Sequence, residues 1–298
     1  LALWQANYIS KLITESNREI EVEIKKIKTK GDRILDSPLA KIGDKGLFVK
    51  EIEVTLIDGA IDFAVHSMKD LPTDIPDELT LGATPKREDN RDLLISKNKI
   101  KLSELPPGTT IGTSSLRRKA QLLIYNPDLK IVDVRGNLDT RIRKMEEGQF
   151  EGIVLATAGV KRMGWMEKVT EIIDPSIILP AVGQGAIAIE TRKNDGFIKE
   201  LFLKINHVDT VASITAERAL MKRLEGGCQV PIGASALVSN DRLEIEAMVS
   251  SLEGEEFIRE IASGKVVDAE EIGIELAEKM ISLGADKILK NVREQFES

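Results

Sequence analysis

Cysteine is almost absent from this chain: Cys228 is the only one among 298 residues. A single thiol excludes an intramolecular disulfide and fits a reducing compartment, so a cytoplasmic location is expected. Histidine is nearly as scarce, with only His66 and His207. Transition-metal sites draw on several His or Cys side chains. No metal centre is therefore expected, and both histidines read as ordinary structural or surface residues. Nothing favours a Ser-His-Asp triad built on either of them. No apolar run approaches the roughly 18 residues of a membrane-spanning helix, and the opening residues read as an amphipathic helix rather than a signal peptide. A G-x-x-x-x-G-K-S/T phosphate loop is missing. Gly183-Gln184-Gly185-Ala186-Ile187-Ala188 matches G-x-G-x-x-A on paper. A dinucleotide site needs that motif to open a helix, and here the following residues alternate like a strand. Repeats and low-complexity tracts are also lacking.

What is present is an ordinary globular balance, 42% hydrophobic and 31% charged. The length points to two or three domains. The formal net charge of -7 makes nucleic acid an unexpected partner. The charge is uneven, however. From Thr113 to Lys144 there are eight bases and three acids. A basic patch inside an acidic protein suggests a site for an anion. The chain opens at Leu1 within a helix-like segment, and further residues are expected ahead of it.

Strand-like and helix-like segments alternate through the first two thirds. Trp4, Tyr8 and Leu12 form a helix face with Ile9 and Ile13, Glu19–Ile27 alternates like a strand, and Val49, Ile52, Leu56 and Ile57 make another helix face. Ile61–His66 reads as a buried strand. After Pro85 the rhythm repeats, with strands at Asp92–Ser96, Thr109–Gly112, Ile131–Val134 and Gly152–Ala156 and helices from Leu116 and over Leu138–Glu147. This rhythm predicts α/β layers with a largely parallel sheet. The C-terminal part differs: a helix over Val211–Leu224, a hairpin around Ser239-Asn240-Asp241, a third strand over Glu256–Ala262, and two closing helices. It reads as an α+β unit with a small antiparallel sheet.

Three segments carry chemistry. In Val65-His66-Ser67-Met68-Lys69-Asp70 an apolar strand ends in a polar cluster, where open α/β sheets bind ligands; Asp70 reads equally as a turn residue. In Gly112-Thr113-Ser114-Ser115-Leu116-Arg117-Arg118 a strand runs into a hydroxyl-rich helix start, which favours anions. Adjacent arginine forks suit carboxylates. Arg135 and Arg141 sit at a second junction of this kind. Finally, Leu224–Gly233 places Cys228 on a loop dense in Gly and Pro, either as a small buried hydrophobe or as a presented thiol.

Together these segments resemble the porphobilinogen deaminase family. The likeness runs through LALWQA at 1–6, KGDRILDSPLAKIGDKGLFVKE at 30–51, AVHSMKDLP at 64–72, REDNRD at 87–92, GTSSLRR at 112–118 and VRGNLDTR at 134–141. It continues with LPAVGQGA at 179–186, TAERA at 215–219 and LEGGCQVPIG at 224–233. The resemblance implies two type II periplasmic-binding-protein-like α/β domains, 1–85 (with 186–203 returning to it) and 91–180. It adds a smaller α+β domain with a three-stranded antiparallel sheet at 208–298. It also implies a hydroxymethylbilane synthase, which condenses four porphobilinogen molecules with loss of ammonia and then releases the linear tetrapyrrole by hydrolysis. Its dipyrromethane cofactor would be bound to Cys228 by a thioether. Asp70 matches the catalytic carboxylate. Lys69, Thr113, Ser114, Ser115, Arg117 and Arg118 match cofactor-binding positions. Arg135, Arg141, Arg162, Lys41, Lys45, Phe48 and Gln184 match positions along the growing chain, whose acetates and propionates explain the basic cluster. The resemblance further implies a monomer, and a preceding strand that supplies an Arg and a Ser. The rival readings are a non-catalytic anion-binding module of the periplasmic type and a nucleic-acid-binding protein using the Thr113–Lys144 patch, where Tyr125 is the only aromatic.

Overall fold

Helix α1 (Ala2–Ser16) buries Gln5, Ile9 and Ile13, a four-residue spacing that turns one stripe toward a sheet. The computed structural model describes residues 1–29, 49–224 and 230–297. Lys41, Lys45, Phe48 and Cys228 lie outside the described residues. The sheet beneath α1 runs in the order β1-β8-β2, from β1 (Phe63–Ser67), β2 (Leu79–Ala83) and β8 (Ile187–Arg192). Ile9 and Ile13 meet Ile187, Ile189 and Phe202 on one face, the last from helix α6 (Gly196–Phe202). Helix α2 (Lys50–Ile57) covers the other face, where Leu56 packs with Ala64 and Leu79. Adjacent residues of β1 thus serve opposite cores, as a period of two requires.

Two expectations need correction here. Both β1 and β2 pair antiparallel to β8, so this sheet is not parallel. Alternation reports which faces are buried, not strand direction, and β8 arrives only after the chain has visited a second lobe. Among the described residues, 20–29 form no ladder either. Ile20 and Val22 still pack against the α1 core, so the alternation marked one-sided burial rather than strand pairing.

The second lobe holds β3 (Asp92–Ser96), β4 (Thr110–Gly112), β5 (Lys130–Val132), β6 (Gly152–Ala156) and β7 (Glu171–Ile172), in the order β5-β4-β6-β3-β7. Its β5-β4-β6 part is parallel, while β3 runs antiparallel to both neighbours. Helices α3 (Leu116–Tyr125), α4 (Leu138–Glu146) and α5 (Thr157–Arg162) flank it. Leu93 and Ile95 face one core, with Ile142 and Val160, and Leu94 faces the other, with Leu122. The chain crosses between the lobes twice, between β2 and β3 and between β7 and β8.

The third unit is the antiparallel sheet β9 (Ile232–Ser239), β10 (Arg242–Ser250) and β11 (Phe257–Lys265), with helices α7 (Val208–Arg223), α8 (Ala269–Ser282) and α9 (Ala285–Glu297). Asn240 and Asp241, at φ of 50° and 60°, make the two-residue hairpin turn. Asp268 stands before α8 but makes no side-chain cap bond. Helices α7 and α8 approach closely because small residues meet. A Cβ on Gly273 would lie 2.2 Å from the Ala216 carbonyl oxygen. Gly273→Ala therefore forces the two helices apart, and we expect a loss of about 1–3 kcal/mol in urea unfolding. An unchanged midpoint would show that the helix pair yields freely.

Candidate functional site

Strand β1 ends in a short 3-10 turn, Met68–Asp70, at the mouth between the lobes. The Met68 amide donates to the Ala186 carbonyl at 3.1 Å, tying the turn to the second crossing. Gly183, at φ +73°, lies directly beneath. A Cβ there would stand 2.7 Å from Met68 Cγ and 3.1 Å from the Lys69 amide nitrogen. Only glycine supports the turn this closely. Met68 is buried, Lys69 is partly buried and Asp70 is exposed. Among the described residues the Asp70 carboxylate makes no hydrogen bond or ion pair.

Opposite, β4 runs into α3. The Ser115 hydroxyl accepts from the Arg118 amide and caps the helix. The Thr113 hydroxyl accepts from the Ser115 amide at 3.2 Å, and the Ser114 hydroxyl donates to the Val134 carbonyl at 2.6 Å. All three hydroxyls thus shape the junction itself. Arg117 and Arg118 do face a carboxylate, but it is one of the protein's own. Both are buried, at 4% and 6% exposure, against the fully buried Asp92. Arg117 Nη1 donates to Asp92 Oδ2 at 2.7 Å and to the Leu179 carbonyl at 2.6 Å. Arg118 donates to Asp92 Oδ1 from Nη2 at 2.6 Å and from Nε at 3.0 Å. Gln184 Nε2 adds a bond to the same oxygen at 3.0 Å. Burial alone would raise the Asp92 pKa, but the two guanidiniums outweigh it and hold the carboxyl down at about 2.

Four cations converge on a small cavity of about 90 Å³ between the lobes: Lys69, Arg118, Arg141 and Arg162, beside Ser67 and Gln184. Among the described residues no acidic side chain lines it. Burial pushes the Arg141 pKa below the ordinary guanidinium value, Arg118 and Arg135 push the same way, and Asp70 opposes them. Burial likewise lowers Lys69, with Asp70 again the first opposing charge. Arg141 Nε donates to the Gly136 carbonyl at 2.7 Å, which ties the start of α4 to the turn before it. Arg162 lies 5.6 Å over the Trp4 ring and donates to the Gly185 carbonyl at 2.7 Å. Asp70, Lys69, Arg118, Arg135, Arg141, Arg162 and Gln184 therefore come together, while Arg117 is directed into the protein. A larger groove of about 390 Å³, beside Thr73, Gly82 and Arg218, holds none of the predicted site residues; the chemistry assigns the site to the smaller one.

Sequence reasoning missed Asp92 as the partner of both arginines. A charged residue opening a wholly buried strand was the available signal. It also missed Glu217, fully buried, which accepts from Arg87 at 2.6 and 3.0 Å and from the amides of Gly183 and Ala236 at 2.7 and 2.8 Å. That carboxylate joins both crossings to the third unit. His66 is structural as read: it is buried, with Nε2 3.1 Å from Glu190 Oε2. His207 caps α7 through Nδ1.

A cationic cleft between two α/β lobes defines a protein that handles a polyanionic small molecule. The family model described as "Porphobilinogen deaminase, dipyromethane cofactor binding domain" matches residues 1–200, and its C-terminal domain matches residues 211–282. A porphobilinogen deaminase of Desulforamulus reducens is 52% identical over 98% of this chain and 95% of its own length. Another, of Carboxydothermus hydrogenoformans, is 52% identical over 98% and 94%. Among solved structures, the periplasmic VFT2 domain of Bordetella pertussis BvgS covers 67% of this chain and 75% of its own at 14% identity and a TM-score of 0.40. The chain belongs to the porphobilinogen deaminase family. It is a transferase of tetrapyrrole biosynthesis, a hydroxymethylbilane synthase that works on a dipyrromethane cofactor. The charges at the cavity suit that group, because among the described residues its lining has four cations and no carboxylate, and each pyrrole brings two.

Two outcomes follow for Asp92. Asp92→Ala leaves two buried guanidiniums uncompensated, and a loss of about 3–5 kcal/mol is expected in urea unfolding; a loss under about 1 kcal/mol would show that water reaches the pair. The folded pKa lies below the ordinary value of 3.8. The Asp92 contribution is thus complete above pH 4 and lost as pH falls toward 2. The same variant should lose this part of the acid dependence of stability.

Proposed function

We propose that Asp70 is the catalytic carboxylate and that the surrounding cations hold the carboxylates of the growing chain. The observation that carries this reading is charge placement. Asp70 is the exposed acid whose field reaches both Lys69 and Arg141, while Asp92 is already neutralised by its own arginines. A positive charge developing on substrate as ammonia leaves would meet Asp70 at the cleft mouth. At about 4 Å and an effective dielectric near 20, such a pair is worth about 4 kcal/mol. Realised mainly in the transition state, this corresponds to roughly 10³-fold in rate. The same carboxylate can hold pyrrole N–H groups and accept the proton released from the attacked ring.

The dipyrromethane, when bound, supplies the nucleophilic pyrrole carbon and the covalent tether. Cys228 carries it in this reading, supported by its being the only thiol in the chain. Lys69, Arg118, Arg141 and Arg162 take carboxylates at the cavity, with Arg135 beside Arg141. Arg117, Thr113, Ser114 and Ser115 act by shaping the α3 start that presents Arg118. Gln184 bonds Asp92 and the Asn90 carbonyl, and so fixes the crossing against the cleft. Lys41, Lys45 and Phe48 complete the set on the grounds of their motif alone. The proposed domains are 1–85 with 186–203, 91–180 and 208–298, a division supported by the three separate sheets. We take the protein to act as a cytoplasmic monomer; no helix among the described residues is long and apolar enough to cross a membrane.

Asp70→Asn should fold normally, because the side chain is exposed, and lose at least about 10²-fold in kcat. Steady-state turnover of porphobilinogen decides this, and a variant keeping most of its rate removes Asp70 from the chemistry. Arg141→Gln should mainly raise KM, since it removes a binding charge.

A further inference from the structure

Arg218 belongs to α7 but reaches out of the third unit. Its Nη1 donates to the Leu71 carbonyl at 3.1 Å, and its Nη2 donates to the Pro72 carbonyl at 2.7 Å and the Thr73 carbonyl at 3.2 Å. Nη1 also lies 4.0 Å from Met68 Sδ. These residues bracket the turn that carries Lys69 and Asp70: Met68 opens it, and Leu71–Thr73 lead the chain away. The exit segment belongs to no strand, since β1 ends at Ser67 and β2 begins at Leu79, and no ladder among the described residues supplies donors to its carbonyls. Successive carbonyls therefore need an outside donor, and a planar guanidinium with five N–H groups can serve three at once.

The preceding residue holds the other side. Glu217 accepts from the Gly183 amide, and Gly183 is the glycine packed under Met68. Two consecutive residues of α7 thus grip the turn, one through the crossing beneath it and one through its exit. We infer that Arg218 is a positioning residue for the reaction: it fixes where the Asp70 carboxylate stands in the cleft. The inference rests on the reading of Asp70 given above. It makes the third unit, which carries Cys228 in its sequence, responsible also for the placement of the carboxylate in the first lobe.

The test compares holoenzymes of the wild type, Arg218→Met, Arg218→Lys, Asp70→Asn, Asp70→Glu and the Arg218→Met/Asp70→Glu double variant. Intact mass first confirms equal cofactor content. Arg218→Met should lower kcat by about 10- to 100-fold, the cost of a carboxylate misplaced by about 1 Å, with KM within about twofold. Arg218→Lys should recover part of the rate. In the Asp70→Glu background, where the carboxylate is already displaced, adding Arg218→Met should cost less than about threefold. A wild-type kcat with a lowered Tm in Arg218→Met would overturn the inference and leave a structural staple. So would a full, multiplicative loss in the double variant. If Arg218→Met yields no folded holoenzyme, Arg218→Lys decides: a fall in kcat at unchanged KM supports the inference, and a wild-type kcat overturns it. Should Asp70→Asn keep its rate, the reading of Asp70 fails instead. A dead Asp70→Asn beside a fully active Arg218→Met rejects the positioning role alone.

Discussion

A carboxylate sealed from water holds the centre of this molecule. Asp92 binds two guanidiniums and an amide, and the remaining bonds of these groups go to the Leu179, Val154 and Asn90 carbonyls. An unpaired buried charge is costly, so the pairing fixes its members. It ties β3 to α3 and α3 to the second crossing. It also holds Arg118 at the cavity wall, with Nε and Nη2 on Asp92 and Nη1 on the Val154 carbonyl. Glu217 repeats the device one layer away, where a single buried carboxylate unites Arg87, Gly183 and Ala236. Three units with separate cores are thus joined at their polar seams.

The cleft has the opposite character. Burial first, and the neighbouring cations after it, lower the proton affinity of Arg141 and Lys69. A cluster of this sign favours an anionic ligand, and every pyrrole unit of the substrate carries two carboxylates. Asp70 is the exception to the positive field, and it stands on a turn held from below and behind. Rigid support for one exposed carboxylate is what preorganised electrostatic catalysis requires.

Much of this was legible in the sequence, for identifiable reasons. The α7 and α8 helices and the β9–β10 hairpin follow from local pattern and turn chemistry, with Asn240 and Asp241 at the tip. The charge excess between Thr113 and Lys144 marked two of the four cavity cations, Arg118 and Arg141, while Lys69 and Arg162 lie outside it. Strand direction was not, because β8 joins β1 after a long excursion and alternation carries no direction. The segment at 20–29 misled for a related reason: Ile20 and Val22 are partly buried against the α1 core with no ladder to join among the described residues. Nor were the partners of Arg117 and Arg118 visible, since the buried Asp92 lies 25 residues before the first of them. Ion pairs between remote segments leave no local periodicity.

The most direct measurement is the intact mass of the purified protein, followed by a peptide map across Cys228, before and after incubation with porphobilinogen. The account predicts an added mass of two linked pyrrole units on the peptide that contains Cys228, and further pyrrole units added while substrate is supplied. A Cys228 peptide still unmodified after incubation, or an adduct on any other residue, would contradict it.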